Sequence, residues 1–392
     1  EYPAILFDAI QVNTGLLLFS KNQQFMLTTD SDVFSPTTAK INALSTYNFN
    51  FATNPISLGT TIGFLDNAGK FSRFFEMTQI QREGEPEIIE QSAVVSRLFE
   101  NDLKLISNSR ENNVIFFSEE GESTLYGYRY FDNVRERSLA AWFKWKLIGD
   151  IQYHCMQDDN LYVVVRNNSK DQLLKFAIKM DTTTPAIAED RVHFDHLMQV
   201  TIANSTYNST TNKTVFPKPT GIENTTEPLA LYDIDTGNDL GRFSICTING
   251  SNIEVVGNWE NGTVYLGYLY QFKIQIPTIY VVRQVGEKFR ADSRANTILH
   301  RASFAFGPIG EYSTTLSRTG RDDYIETFEI TPANQYVANT ASIQDTNKLW
   351  SIPIYDRNTN VKLFVSSFHP APANILYMTW EGIYNNNFYQ RV

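Results

Sequence analysis

The chain has 392 residues, more than one small core accommodates, so two or three domains are expected at about 150 residues each. At 42% hydrophobic and 19% charged it has the composition of a folded protein and not of a disordered one, and no apolar run approaches the ~20 residues of a transmembrane helix. The net charge of −10 and the scatter of its 33 basic residues argue against a sequence-reading nucleic-acid binder, though not against a conduit through which DNA slides.

The opening EYPAILFDAI has no Met, basic stretch or signal-type apolar segment, and it reads as a strand from residue 3. Such a start predicts a chain cut from a longer polypeptide. Next comes LLLFSKNQQFML (16–27), two apolar runs around a polar turn. The same arrangement begins again at Ile62, Val114 and Tyr162, at intervals of 46, 52 and 48 residues. Units of roughly 40–50 residues with several strands each are the mark of β-propeller blades. Segments such as AKINALSTYNFNFA and LAAWFKWKLIGDIQYHCM supply the remaining strands of each blade. One helix is expected, in SAVVSRLFEND, where Val94, Val95, Leu98 and Phe99 share a face behind a Ser92 cap.

After about residue 182 the period is lost. Residues 201–228 are rich in Asn and Thr and predict a long polar loop or arm. Strands resume at LALYDI, RFSICTI, NIEVVGN and GTVYLGYLYQFKIQIPTIYVV, where Pro277 predicts an edge or a bulge. They continue through HRASFAF, DDYIETFEI, KLWSIPIY, VKLFVSS and ILYMTWEGIY. The expected fold is therefore all-β: propeller blades over 1–182, incomplete within this chain, then a β-sandwich-like region over 183–392.

Candidate chemistry is sparse. In HFDH, His193 and His196 flank Asp195 at a spacing that could share a metal on a helix but not on a strand. The pairs Glu119-Glu120, Asp158-Asp159 and Asp322-Asp323 lie in turn sequence and read as solvated, where glycoside hydrolysis needs carboxylates that face each other. In AWFKWKLIG, alternation puts Phe143, Trp145 and Leu147 on a core face and Trp142, Lys144 and Lys146 on a solvated one. Cys155 and Cys246 read as reduced, buried thiols. Asn-x-Ser/Thr triplets at Asn167, Asn204, Asn208, Asn212, Asn224, Asn249 and Asn261 reflect mainly an Asn/Thr-rich composition. No nucleotide loop or activated nucleophile is present, so the residues predict no catalytic, metal or cofactor site and no enzyme. They predict a β-rich structural or interaction module.

In order along the chain, several segments resemble the tail tubular protein B family, the nozzle proteins of short-tailed, podovirus-type phages. These are LLLFSKNQQFMLTTDSDVFSPTTAKIN, GFLDNAGKFSRFFEMTQIQ, the Tyr- and Trp-rich hairpin from Leu125, and the strand with Leu161, Tyr162, Val163 and Arg166. Asn160 stands there where the family pattern has Asp. GTVYLGYLYQFKIQIP follows, and then a closing W-E-G-x-Y carried by Trp380, Glu381, Gly382 and Tyr384. The resemblance runs from near residue 5 to the end and corresponds to the C-terminal portion of such proteins, with an enlarged segment at 201–228. It implies a virion tail protein forming a homo-hexameric nozzle below an adaptor ring, with tail fibres attached and double-stranded DNA passing without sequence-specific contact. The acidic balance would keep DNA from sticking to the channel. The alternatives are a glycan-binding or glycan-degrading tail protein and a secreted, glycosylated propeller.

Overall fold

The four recurring hairpins each occupy the same place in an antiparallel sheet. In the computed structural model, which describes residues 4–12, 15–29, 33–78, 86–99, 103–132, 137–178, 192–203, 206–223, 227–234, 242–285, 288–309, 311–328, 344–345, 349–370 and 373–385, strands meander in chain order. The first sheet is Leu6–Val12, Gly15–Ser20, Gln24–Thr29 and Ala39–Ser45. The second is Ile56–Ser57, Ile62–Asp66, Arg73–Thr78 and Glu87–Glu90. The third is Leu105–Ser109, Val114–Ser118, Thr124–Asp132 and Arg137–Lys146; the fourth, of three strands, is Asp150–Gln157, Asn160–Asn167 and Lys170–Ala177. Each recurrence in the sequence falls in the strand that is central to its hairpins, with Leu16, Ile62, Val114 and Tyr162 in equivalent strands.

Successive sheets pack face to face, and strand alternation explains how. Phe64 and Phe75 of the second sheet join Leu17, Phe19 and Met26 of the first. Their neighbours Leu65 and Phe74 point the other way, into a core with Ile115, Phe117 and Tyr128 of the third sheet. Phe116 and Val114 in turn meet Ile151, Leu161, Val163 and Val165 of the fourth. Both faces are covered, so Ile62–Asp66 and Val114–Ser118 are buried at every position and read as continuous apolar runs, not alternating ones. Each fully buried Phe or Leu contributes about 1.5–3 kcal/mol by leaving water. Polar pins fix the sheets laterally: Asn50 Nδ2 donates to Leu103 O at 2.6 Å, and Asn108 Nδ2 donates to Ser57 O at 2.9 Å. Gly127 faces Phe143 across one strand pair, and a Cβ there would lie 2.1 Å from the ring. Only a residue without a side chain admits that approach.

The chain divides into two units, residues 1–181 and 182–392. The second contains a seven-stranded antiparallel sheet built from Asp195–Thr201, Tyr207–Asn208, Lys213–Pro217, Leu229–Asp233, Phe243–Asn249, Asn252–Val256 and Thr263–Tyr268. It also contains a sandwich. One layer is Phe272–Ile276, Tyr312–Arg318, Tyr324–Phe328 and Val361–Ser367. The other is Asn296–Ile309 between Leu349–Arg357 and Ala373–Asn385, with the short Gln344–Asp345. Leu299, Phe304, Ile352 and Ile354 of that layer meet Tyr312, Leu316, Leu363 and Val365 of the other. The expected edge at Pro277 appears as the end of Phe272–Ile276, an outer strand of its sheet.

Three expectations change. Among the described residues no α-helix is found, and SAVVSRLF forms only a 3-10 turn, Ala93–Val95. The Ser92 hydroxyl accepts the Phe74 N–H at 3.0 Å and caps nothing, Phe99 is drawn into the core between sheets, and Val94 is left 86% exposed. The segment 201–228 is not wholly an arm. Lys213–Pro217 pairs along Asn252–Val256 inside the seven-stranded sheet, and Thr214, Phe216 and Ile222 are buried. The short apolar alternation in KTVFP, hidden among Asn and Thr, is sufficient for an interior strand. Trp142 belongs to a core and not to a solvated face, because the third sheet is covered on both sides: its ring lies 4.5 Å from that of Tyr128. Lys144 and Lys146 stay exposed.

Between the third and fourth sheets His154 is buried, with Nδ1 hydrogen-bonded to the Ser107 hydroxyl at 2.7 Å and no partner for Nε2. Burial pushes its pKa down to about 4, from the ordinary 6.5. The folded protein therefore refuses a proton that the unfolded chain accepts. The stability is complete above pH ~6.5 and declines as pH falls towards 4, by on the order of 3 kcal/mol. The pH dependence of thermal unfolding between 6.5 and 4 should be visibly flatter in His154→Asn than in the wild type; identical slopes would refute this.

Candidate functional site

The sequence-flagged residues do not converge. Glu119-Glu120, Asp158-Asp159 and Asp322-Asp323 sit in separate turns, and Asp159 accepts from Asn112 Nδ2 at 2.9 Å. In HFDH, Phe194 packs into a core with Ala230, Tyr232 and Leu269, while the His193 N–H is bonded to Pro370 O at 2.7 Å. The strand begins at Asp195 and bulges before Met198, with His196 at a φ of 55°. Asp195 is pushed up to about 6 by burial and by the Glu227 carboxylate, and burial also pulls His196 down. Among the described residues no group of three His, Cys, Asp or Glu side chains is arranged to hold a metal ion.

Both cysteines are free thiols. Cys246 is buried, and desolvation pushes it up to about 12. Cys155 is only half-buried, because it lies on the outer face of the fourth sheet. Of the Asn-x-Ser/Thr positions, Asn204 and Asn224 fall outside the described residues. Asn212 and Asn261 adopt left-handed turn conformations, and Asn208 Oδ1 accepts the Thr210 N–H at 2.9 Å.

The densest polar centre was not flagged by the sequence. Glu76, 1% exposed, lies on the face of the second sheet that meets the third. It accepts from Thr61 Oγ1 at 2.7 Å, Gln91 Nε2 at 2.9 Å and Arg137 Nη2 at 3.0 Å. Arg137 also holds Asp132 through Nε at 2.6 Å and stacks 4.9 Å from the Tyr130 ring centroid. The Tyr128 hydroxyl closes the network on Gln91 Oε1 at 3.1 Å. Desolvation raises Tyr128 and Tyr130, the latter to about 12, with Glu76 adding to the second shift. Arg137 is held firmly charged: burial opposes this, but hydrogen bonds to Asp132 and Glu76 outweigh it. Every strong donor and acceptor here is engaged by a protein partner. The centre locks two sheets in register and presents nothing to a substrate. An arginine facing a glutamate 61 residues away in sequence could not have announced it.

The open features are surfaces. On the first sheet, Leu16, Leu27 and Ile41 align across three strands on the face away from the second sheet, and Ile41 is 62% exposed. On the fourth, Tyr153, Val164 and Leu173 align on the face away from the third, with Tyr153 56% and Leu173 68% exposed. Each end of the run of sheets thus repeats the alternation of the covered faces.

The chain matches the family described as "Bacteriophage nozzle protein" over residues 1–391. It belongs to that family. This places it in the virion tail as a structural component of the nozzle. No curated protein matches the chain. Among solved structures, an exo-β-1,3-galactanase from Phanerochaete chrysosporium with galactose is similar over 93% of this chain and 78% of its own, at 8% identity and a TM-score of 0.22. A second structure of that enzyme, with β-1,3-galactotriose, covers 95% of each chain at 8% identity and a TM-score of 0.17. Likenesses this slight carry no argument about fold or activity.

Removing one member of the Glu76–Arg137 pair leaves a buried charge uncompensated. Arg137→Met should cost about 3 kcal/mol in denaturant unfolding, and adding Glu76→Leu should recover a large part of that loss. Additive losses in the double variant would contradict the pairing.

Proposed function

We propose that this nozzle protein is of the tail tubular protein B type found in short-tailed, podovirus-type phages, and that the chain is its C-terminal portion. Six copies form a ring that continues the DNA-ejection channel below an adaptor ring and offers attachment to tail fibres. Family membership across residues 1–391 is the observation that carries this reading. The ordered segments from LLLFSKNQQFML to W-E-G-x-Y support the narrower type.

The uncovered apolar faces at the two ends of the sheet run support assembly. Scattered exposed apolar residues are ordinary, but aligned ones on a sheet face are interaction surface. A glycan-cleaving reading would need two carboxylates facing each other across a sugar, and the three acidic pairs lie in separate turns.

Images of the purified full chain should show a six-fold ring with a central channel. A species that stays monomeric at micromolar concentration would overturn the assembly. Leu173→Glu replaces an exposed side chain, so the unfolding midpoint should barely move, by about 0.5 kcal/mol equivalent or less, while ring formation falls sharply.

A further inference from the structure

Arg283, Lys288, Arg290 and Arg294 lie within twelve residues, with Glu287 and Asp292 among them. Val282–Val285 and Lys288–Ala291 form a two-stranded antiparallel ribbon that pairs with no other strand among the described residues. The register sets Arg283 directly opposite Arg290. Like charges so placed repel, and the arrangement is stabilised when an anion sits between or over them.

The C-terminal W-E-G-x-Y motif builds the base of this ribbon. Glu381 Oε2 lies 3.2 Å from Arg301 Nε. Gly382 runs so close to the neighbouring strand that a Cβ would be 2.2 Å from Ile298 O. Tyr384 then reaches the ribbon: its hydroxyl donates to Asp292 Oδ2 at 2.7 Å, and its ring centroid is 5.0 Å from the Arg283 guanidinium. Asp292 Oδ2 also lies 3.5 Å from Arg283 Nε. Arg283 is therefore held in place from behind. Arg290 and Arg294 are exposed, and neither pairs with a carboxylate among the described residues.

Resting on the nozzle reading, we propose that this ribbon is a contact for the phosphate backbone of double-stranded DNA, with Arg283, Arg290 and Arg294 as the contacting groups. A guanidinium is a rigid planar fork that matches phosphate oxygens, and a two-stranded ribbon is an element that the major groove of DNA admits. With so few phosphates engaged and acidic protein around it, the contact is weak, independent of sequence and released by salt. It can steady a passing duplex without arresting it.

The test uses the full chain and a fluorescein-labelled 30-base-pair duplex, followed by anisotropy from low to moderate salt. Arg290→Gln with Arg294→Gln should weaken binding about 10-fold at low salt and reduce the slope of log affinity against log salt by about 2. Unchanged affinity and slope would overturn the proposal. So would displacement of the duplex by poly-glutamate as readily, charge for charge, as by unlabelled duplex, which would mark an acidic-polypeptide site. Ring formation is imaged separately on the same samples. Arginine-dependent duplex binding without any ring would sink the nozzle assembly and leave the ribbon standing, so the two failures are distinguishable.

Discussion

Covering both faces of a short antiparallel sheet is the constraint on which the first unit depends. A lone four-stranded meander with Phe64 and Phe75 on one side and Leu65 and Phe74 on the other would leave one apolar face in water. Stacking the sheets resolves this three times in succession. The polar features then make sense as registration devices, since dispersion and burial are non-directional and would tolerate sliding. Glu76 with Arg137, Asn50 with Leu103 O, and Ser107 with His154 each set one sheet against the next.

The second unit solves the same problem by other means. Its sandwich buries Leu299, Phe304 and Ile354 against Tyr312, Leu363 and Val365, and its longest strand, Asn296–Ile309, serves two neighbours at once. The W-E-G-x-Y segment belongs to the strand beside it. Within five residues that strand contributes a core-packed Trp380, a surface ion pair, a close backbone approach and a clamp on Arg283. A short motif can thus be specific because each position answers a different neighbour.

What the sequence disclosed follows from locality. The recurring hairpins were legible because turn and strand lie within about fifteen residues, and their period of roughly 48 gave the blades. The segment 201–228 misled because Asn and Thr dominate its composition, while five residues, KTVFP, decide its fate through pairing with Asn252–Val256. The Ser92 helix misled because the hydroxyl that would cap it is taken by the Phe74 N–H, eighteen residues away. The Glu76 centre had no local signature, since the stacking of two sheets creates it. The family resemblance, by contrast, was readable from the order of short motifs, none of which is specific alone.

A run of sheets in which each core is shared only with the next behaves as a one-dimensional array. Among the described residues, the second and third sheets share cores on two sides, while the first and fourth share one on a single side. Ile62–Asp66 and Val114–Ser118, buried at every position, are the best-shielded strands of this array. Neighbouring copies that cover the ends would convert frayed margins into interior, so that assembly and the completion of folding become one event.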